Sequence, residues 1–119
     1  MFEHIDFWSH SGFPLTWKID CDALTDADIE ALAWVISGVL TFGKVVGIPT
    51  GGDRLAKALE QYVNVASPVT LLVDDVLTTG LSMKAARKAL TEPVTGVVIF
   101  SRKSAPAWIY PLFQLWRFG

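Results

Sequence analysis

The chain has 119 residues, 51% of them hydrophobic and 18% charged. That is enough apolar mass for one packed domain, and it excludes a disordered chain and a second core. Twelve acidic against ten basic side chains leave a net charge of -2, which excludes a general nucleic-acid binder.

Residues 1–10 are acidic and lack the basic start and apolar run of a signal peptide. Ten of the fourteen aromatic residues fall in residues 1–17 and 108–118, so an aliphatic middle is expected beneath aromatic ends. A short strand is expected over residues 15–20. Cys21 is the only cysteine. It excludes an intramolecular disulfide and a Cys-rich zinc site, and it reads as a reduced thiol in a cytoplasmic protein.

Thr25 then reads as the N-cap of a helix, with Asp26 and Asp28 in the first turn, where the helix dipole favours acids. Leu24 and Ile29 are spaced as a hydrophobic staple. Ile29, Leu32, Ala33, Ile36 and Leu40 form one buried face, and Gly43 is the expected stop. The apolar stretch 31–48 is interrupted by Ser37, Gly38, Thr41, Gly43 and Lys44, so it reads as helix followed by strand and not as a membrane span. Residues 45–48 are a continuous apolar run, as in a parallel strand covered on both faces. A second helix follows Gly52, with Leu55, Leu59 and Tyr62 or Val63 facing inward. A second strand is expected over residues 69–73, a third helix over 82–90 with a basic face of Lys84, Arg87 and Lys88, and a third strand over 94–100. The tail 106–116 is expected to pack over the sheet or to meet a partner. The alternation implies an α/β fold: a parallel twisted sheet flanked by helices, with right-handed crossovers and a small N-terminal hood, as one domain over residues 1–119.

Ligands of such sheets sit beyond the carboxyl ends of the strands. There the second strand delivers Asp74 and Asp75, which are expected to turn together toward vicinal hydroxyls such as those of a ribose. Thr78, Thr79, Gly80 and Ser82 follow, a hydroxyl-rich turn into a helix start whose amides suit a phosphate. A ribose end and a phosphate end one turn apart match a 5-phosphoribosyl group. The first strand ends in Thr50, Gly51 and Gly52, with Arg54 nearby, a second turn able to hold an anion such as pyrophosphate. The second half of the chain, with six bases against three acids, suits such a ligand. The only histidines are His4 and His10, so no Ser-His-Asp site is readable.

Residues 70–82 resemble, at all thirteen positions, the signature of type I phosphoribosyltransferases. The resemblance implies that magnesium binds together with 5-phosphoribosyl 1-pyrophosphate and that the phosphoribosyl group moves onto a nitrogenous base. It implies that Asp74 and Asp75 hold the ribose and form the catalytic pair. Val76, Leu77, Thr78, Thr79, Gly80 and Ser82 then complete the donor motif, and Thr50, Gly51, Gly52 and Arg54 form the pyrophosphate loop, which in that family often holds a cis peptide bond before a residue other than proline. Phe7 to Gly12 and the stretch after it resemble the N-terminal arm of orotate phosphoribosyltransferase, which puts His10 at the place of its base-binding lysine, and the family's Asp-Arg pair after the next strand falls on Ser101-Arg102, which makes Arg102 the match of the base-contacting arginine. Family enzymes carry a long basic loop before the signature strand. Here residues 64–68 take its place without a Lys or Arg, leaving Lys18, Arg54, Lys57 or Lys84 as substitutes. Two readings follow: a cytoplasmic, homodimeric transferase that binds neither nucleic acid nor membrane, or a non-catalytic module that binds a phosphoribosyl compound or nucleotide.

Overall fold

A computed structural model describes residues 21–114. The expected strand over residues 15–20, His10 and Lys18 lie outside the described residues. Thr25 and Asp28 cap the first helix reciprocally. The Asp28 N–H donates to Thr25 Oγ1 at 3.0 Å and the Thr25 N–H donates to Asp28 Oδ2 at 2.9 Å. Helix α1 then spans Asp26–Val39 after a 3-10 turn at Cys21–Ala23, and it buries Ile29, Leu32, Ala33 and Ile36. It stops at Leu40, whose backbone is extended, three residues before the expected Gly43. The Gly43 N–H instead donates to Val69 O at 2.8 Å and opens the sheet.

Four parallel strands follow, β1 (Lys44–Gly47), β2 (Thr70–Leu77), β3 (Val94–Ser101) and β4 (Ile109–Gln114), hydrogen-bonded in that order. Helix α2 (Asp53–Leu59), continued by a 3-10 turn at Glu60–Tyr62, joins β1 to β2. Helix α3 (Leu81–Lys88) joins β2 to β3. The expected strand 69–73 is longer than its apolar run. Pairing of Asp74 with Val98, Val76 with Phe100 and Leu77 with Ser101 carries β2 through the two acids. The tail is a further strand, not a cover over the sheet, for Ile109 pairs with Gly96 and Gln114 with Ser101. Pro111, which lacks an amide hydrogen, is tolerated there because β4 is an edge strand.

Alternation along the strands divides the core in two. Leu71, Val73, Val97 and Ile99 meet α1 and α2 on one face, with Leu55 and Leu59 of α2 among them. Leu72 and Val98 meet Met83 of α3 on the other face, joined by Ala105 and Trp108 of the β3–β4 connection. The strand order advances the same way from β1 to β2 and from β2 to β3, yet α2 and α3 lie on opposite faces. The two crossovers therefore have opposite hands, and one departs from the expected right-handed rule. Helix α3 buries only Met83. The Arg87 guanidinium of its basic face stacks on the Trp108 ring, 4.6 Å from the centroid. No helix among the described residues is long and apolar enough to cross a membrane.

Gly96 is what lets α3 and the β3–β4 connection sit so close to the sheet. A Cβ there would lie 2.6 Å from Met83 Cε and 3.0 Å from Trp108 and Ile109 side-chain atoms. Gly96→Ala is expected to cost about 1–3 kcal/mol of stability through overpacking. Urea unfolding of the variant beside the parent chain checks this, with a shifted midpoint at unchanged slope as the expected outcome.

Candidate functional site

The carboxyl ends of β1 and β2 lie side by side, since Gly47 pairs with Val73. From β1 the chain turns through Pro49, Thr50, Gly51 and Gly52 into α2, and the Pro49–Thr50 peptide bond is cis, as the family resemblance implied for this loop. From β2 it turns through Thr78, Thr79 and Gly80 into α3. Gly80 adopts a left-handed backbone, φ +84°, which glycine alone enters without cost. No side chain caps α3 beyond a 3.3 Å hydrogen bond from the Leu81 N–H to Thr79 Oγ1, so its first turn remains an amide-rich anion cradle.

Asp74 and Asp75 sit inside β2, each at the edge of a different cavity and with their side chains in contact. Asp74 lines the cavity at the start of α3 together with Val76, Leu77, Thr78, Thr79, Gly80 and Ser82. Asp75 lines a second cavity on the α1/α2 face with Thr50, Gly51 and Arg54, closed below by Cys21, Ile29, Leu55 and Ile99. The first cavity has a volume of about 30 Å³ and the second about 200 Å³, so only the second has room for more than a small anion. The two acids thus line neighbouring cavities while their side chains stay close enough to interact. Each accepts the amide hydrogen of the next residue at 2.8 Å, from Asp75 to Asp74 Oδ1 and from Val76 to Asp75 Oδ1. Burial, then the hydrogen-bonded and like-charged Asp75, push the Asp74 carboxyl up to about 7.

Gly51 packs flat against the Asp75 carboxylate. A Cβ at position 51 would overlap both carboxylate oxygens. The loop after β1 and the acid of β2 therefore fit together only because residue 51 has no side chain. Arg54 lines the same cavity, but its guanidinium is engaged on the α1 side, donating to Leu24 O at 2.9 Å and pairing with Asp26 at 3.2 Å. Lys57 lies further along the groove between α1 and α2, and Lys84 is exposed on α3. Arg102, the residue assigned to base contact, is exposed just past β3, and its N–H donates to Leu77 O at 3.0 Å. His10 lies outside the described residues. Lys103 was not singled out in the sequence. Its ammonium donates to Thr79 O at 2.9 Å across 24 residues, a contact no local pattern announces.

Because the Asp74 carboxyl is raised, the folded chain keeps a proton there that the unfolded chain loses above about pH 4. Its contribution to stability is therefore present below that point and fades as pH rises toward about 7. Asp74→Asn removes the titration and keeps the acceptor for the Asp75 amide. It is expected to raise the melting temperature above the parent's at about pH 8, with the gap closing at about pH 4. Thermal melts of both chains across that range check it.

No protein-family model matches the chain, and no curated protein sequence does. Solved structures do. A hypothetical protein from Neisseria gonorrhoeae with bound ppGpp superposes with a TM-score of 0.57 at 14% identity, over 78% of this chain and 82% of that one. The xanthine-guanine-hypoxanthine phosphoribosyltransferase of Helicobacter pylori superposes with a TM-score of 0.50 at 16% identity, over 72% of this chain and 84% of that one. The described residues thus have a phosphoribosyltransferase-like α/β fold, a four-stranded parallel sheet with flanking helices.

Proposed function

We propose that the chain binds 5-phosphoribosyl 1-pyrophosphate and transfers its phosphoribosyl group to a nitrogenous base, orotate-like or another pyrimidine or purine, releasing pyrophosphate. The observation that carries this reading is the order of parts along one sheet edge: a glycine loop, two acids and a helix-start cradle, on adjacent strands. The cradle amides and the hydroxyls of Thr78, Thr79 and Ser82 take the 5′-phosphate. The loop amides of Thr50, Gly51 and Gly52 take the pyrophosphate. Asp74 and Asp75 accept hydrogen bonds from the ribose hydroxyls and stabilise positive charge at C1 as its bond to the pyrophosphate oxygen breaks and the bond to the base nitrogen forms. Arg102 at the end of β3, together with His10, is assigned to the base. Positioning and electrostatics do the work, with no covalent nucleophile.

Among the described residues no group of three His, Cys, Asp or Glu side chains could hold a metal ion. Asp74 and Asp75 would be the residues to hold a magnesium ion arriving with the donor, since hard carboxylate oxygens suit that ion. When bound, magnesium supplies neutralisation of the departing charge. Resemblance of the N-terminal arm is what favours an orotate-like base, and the lone Cys21, read as a reduced thiol, is what favours the cytoplasm. A homodimer is also proposed, because Trp34, Val35 and Val39 leave an exposed apolar strip on α1.

One observation favours a second reading, a non-catalytic module for phosphoribosyl compounds or nucleotides. The residues 63–69 that join α2 to β2 lie at the amino ends of the strands, the edge opposite the site. They are tied down by hydrogen bonds from the Asn64 N–H to Phe42 O and from the Ser67 N–H to Asn64 O. They do not arch over the donor. The gonococcal neighbour, with its bound ppGpp, supports a polyphosphorylated nucleotide as the ligand on this reading.

Incubation of the full chain with magnesium, donor and a panel of bases separates the readings. Nucleotide product and released pyrophosphate with at least one base are expected. Tight donor binding with no product from any base would establish the module instead. The double variant Asp74→Ala, Asp75→Ala is expected to lose donor affinity by more than about tenfold, read by calorimetry.

A further inference from the structure

The cavity at the start of α3 is lined by one ionisable side chain, and it is an acid, Asp74. A dianionic phosphate ester held there by amides and hydroxyls alone would face that acid without a balancing charge. A positive charge stands at the rim, supplied from outside the motif. The Lys103 ammonium donates to Thr79 O at 2.9 Å, and it lies 3.9 Å from where a Cβ on Gly80 would be. That contact uses one of its three donors, leaving two for an oxygen acceptor beside the loop. No carboxylate among the described residues pairs with it.

Its backbone is fixed as well. Ser101, fully buried, donates through Oγ to the Lys103 carbonyl and accepts from the Lys103 N–H at 3.4 Å. The Arg102 N–H donates to Leu77 O and so extends the β2–β3 ladder by one bond into the turn. The charge is therefore anchored at two points, through its backbone to Ser101 at the end of β3 and through its side chain to the cradle loop.

We infer that Lys103 is a phosphate-recognition residue of this site, supplying the fixed positive charge that selects a 5′-phosphorylated sugar over its unphosphorylated counterpart. The inference rests on the reading of the cradle as the phosphate end of the donor site. It makes the turn after β3 part of the phosphate subsite as well as a neighbour of the base subsite. Lys84, one turn into α3, meets the loop only through its backbone N–H, which donates to Gly80 O at 3.0 Å, and its exposed side chain carries no such role.

Calorimetric titration of the full chain with ribose 5-phosphate tests this, using Lys103→Met, Lys103→Arg and Lys84→Met beside the parent. Lys103→Met is expected to bind about tenfold more weakly, with the deficit shrinking in high salt as a Coulombic term must. Lys103→Arg should restore most of the affinity, Lys84→Met should bind as the parent does, and the melting temperatures should agree. Parental affinity in Lys103→Met overturns the inference. So does a loss that arginine fails to restore or that accompanies a lowered melting temperature, because the lysine then only braces the loop. If the parent chain binds neither ribose 5-phosphate nor the full donor, the functional reading itself fails, and the role of Lys103 falls with it.

Discussion

The two helices that follow β1 and β2 leave neighbouring strands for opposite faces of the sheet, and the site exists because of that divergence. Where adjacent connections part in this way, the carboxyl ends of two strands are left uncovered and a crevice opens between them. In a doubly wound sheet the parting usually comes where the strand order reverses direction. Here the order runs straight from β1 to β4, so the same parting is reached with crossovers of opposite hand. Paired strands stand about 4.8 Å apart, which sets the glycine loop and the helix-start cradle at a spacing a single sugar phosphate can bridge.

Within that frame the two acids of β2 form one interacting pair at the meeting point of two cavities. One short step of sequence gives each cavity a carboxylate and leaves the two close enough to interact. Burial raises the cost of ionising Asp74, and its neighbour raises it further. Structural economy does not call for two acids in the middle of a parallel strand.

The sequence made most of this legible where local chemistry and structure coincide. Thr25 and Asp28 announce the first helix, the apolar runs announce β1 and β3, and Thr78 to Ser82 announce the cradle. The length of β2 was hidden because its apolar run ends at Val73, whereas the backbone ladder continues under Asp74 and Asp75 to Leu77. Strand β4 was hidden by Pro111 and by a connection of only residues 102–108, shorter than the dozen residues that parallel neighbours usually need. The hands of the crossovers depend on which face each helix chooses, which a periodic pattern does not encode. Lys103 acts across 24 residues through a main-chain oxygen, so no spacing rule points to it.

The flat contact between Gly51 and the Asp75 carboxylate constrains how such a chain can diverge. Any side chain gained at position 51 collides with the acid before it can add a new contact, and shrinking residue 75 first takes away the side chain against which the loop packs. The two positions are locked in epistasis. Descendants are therefore expected to vary the exposed turns more freely and to change this pair only together, or not at all.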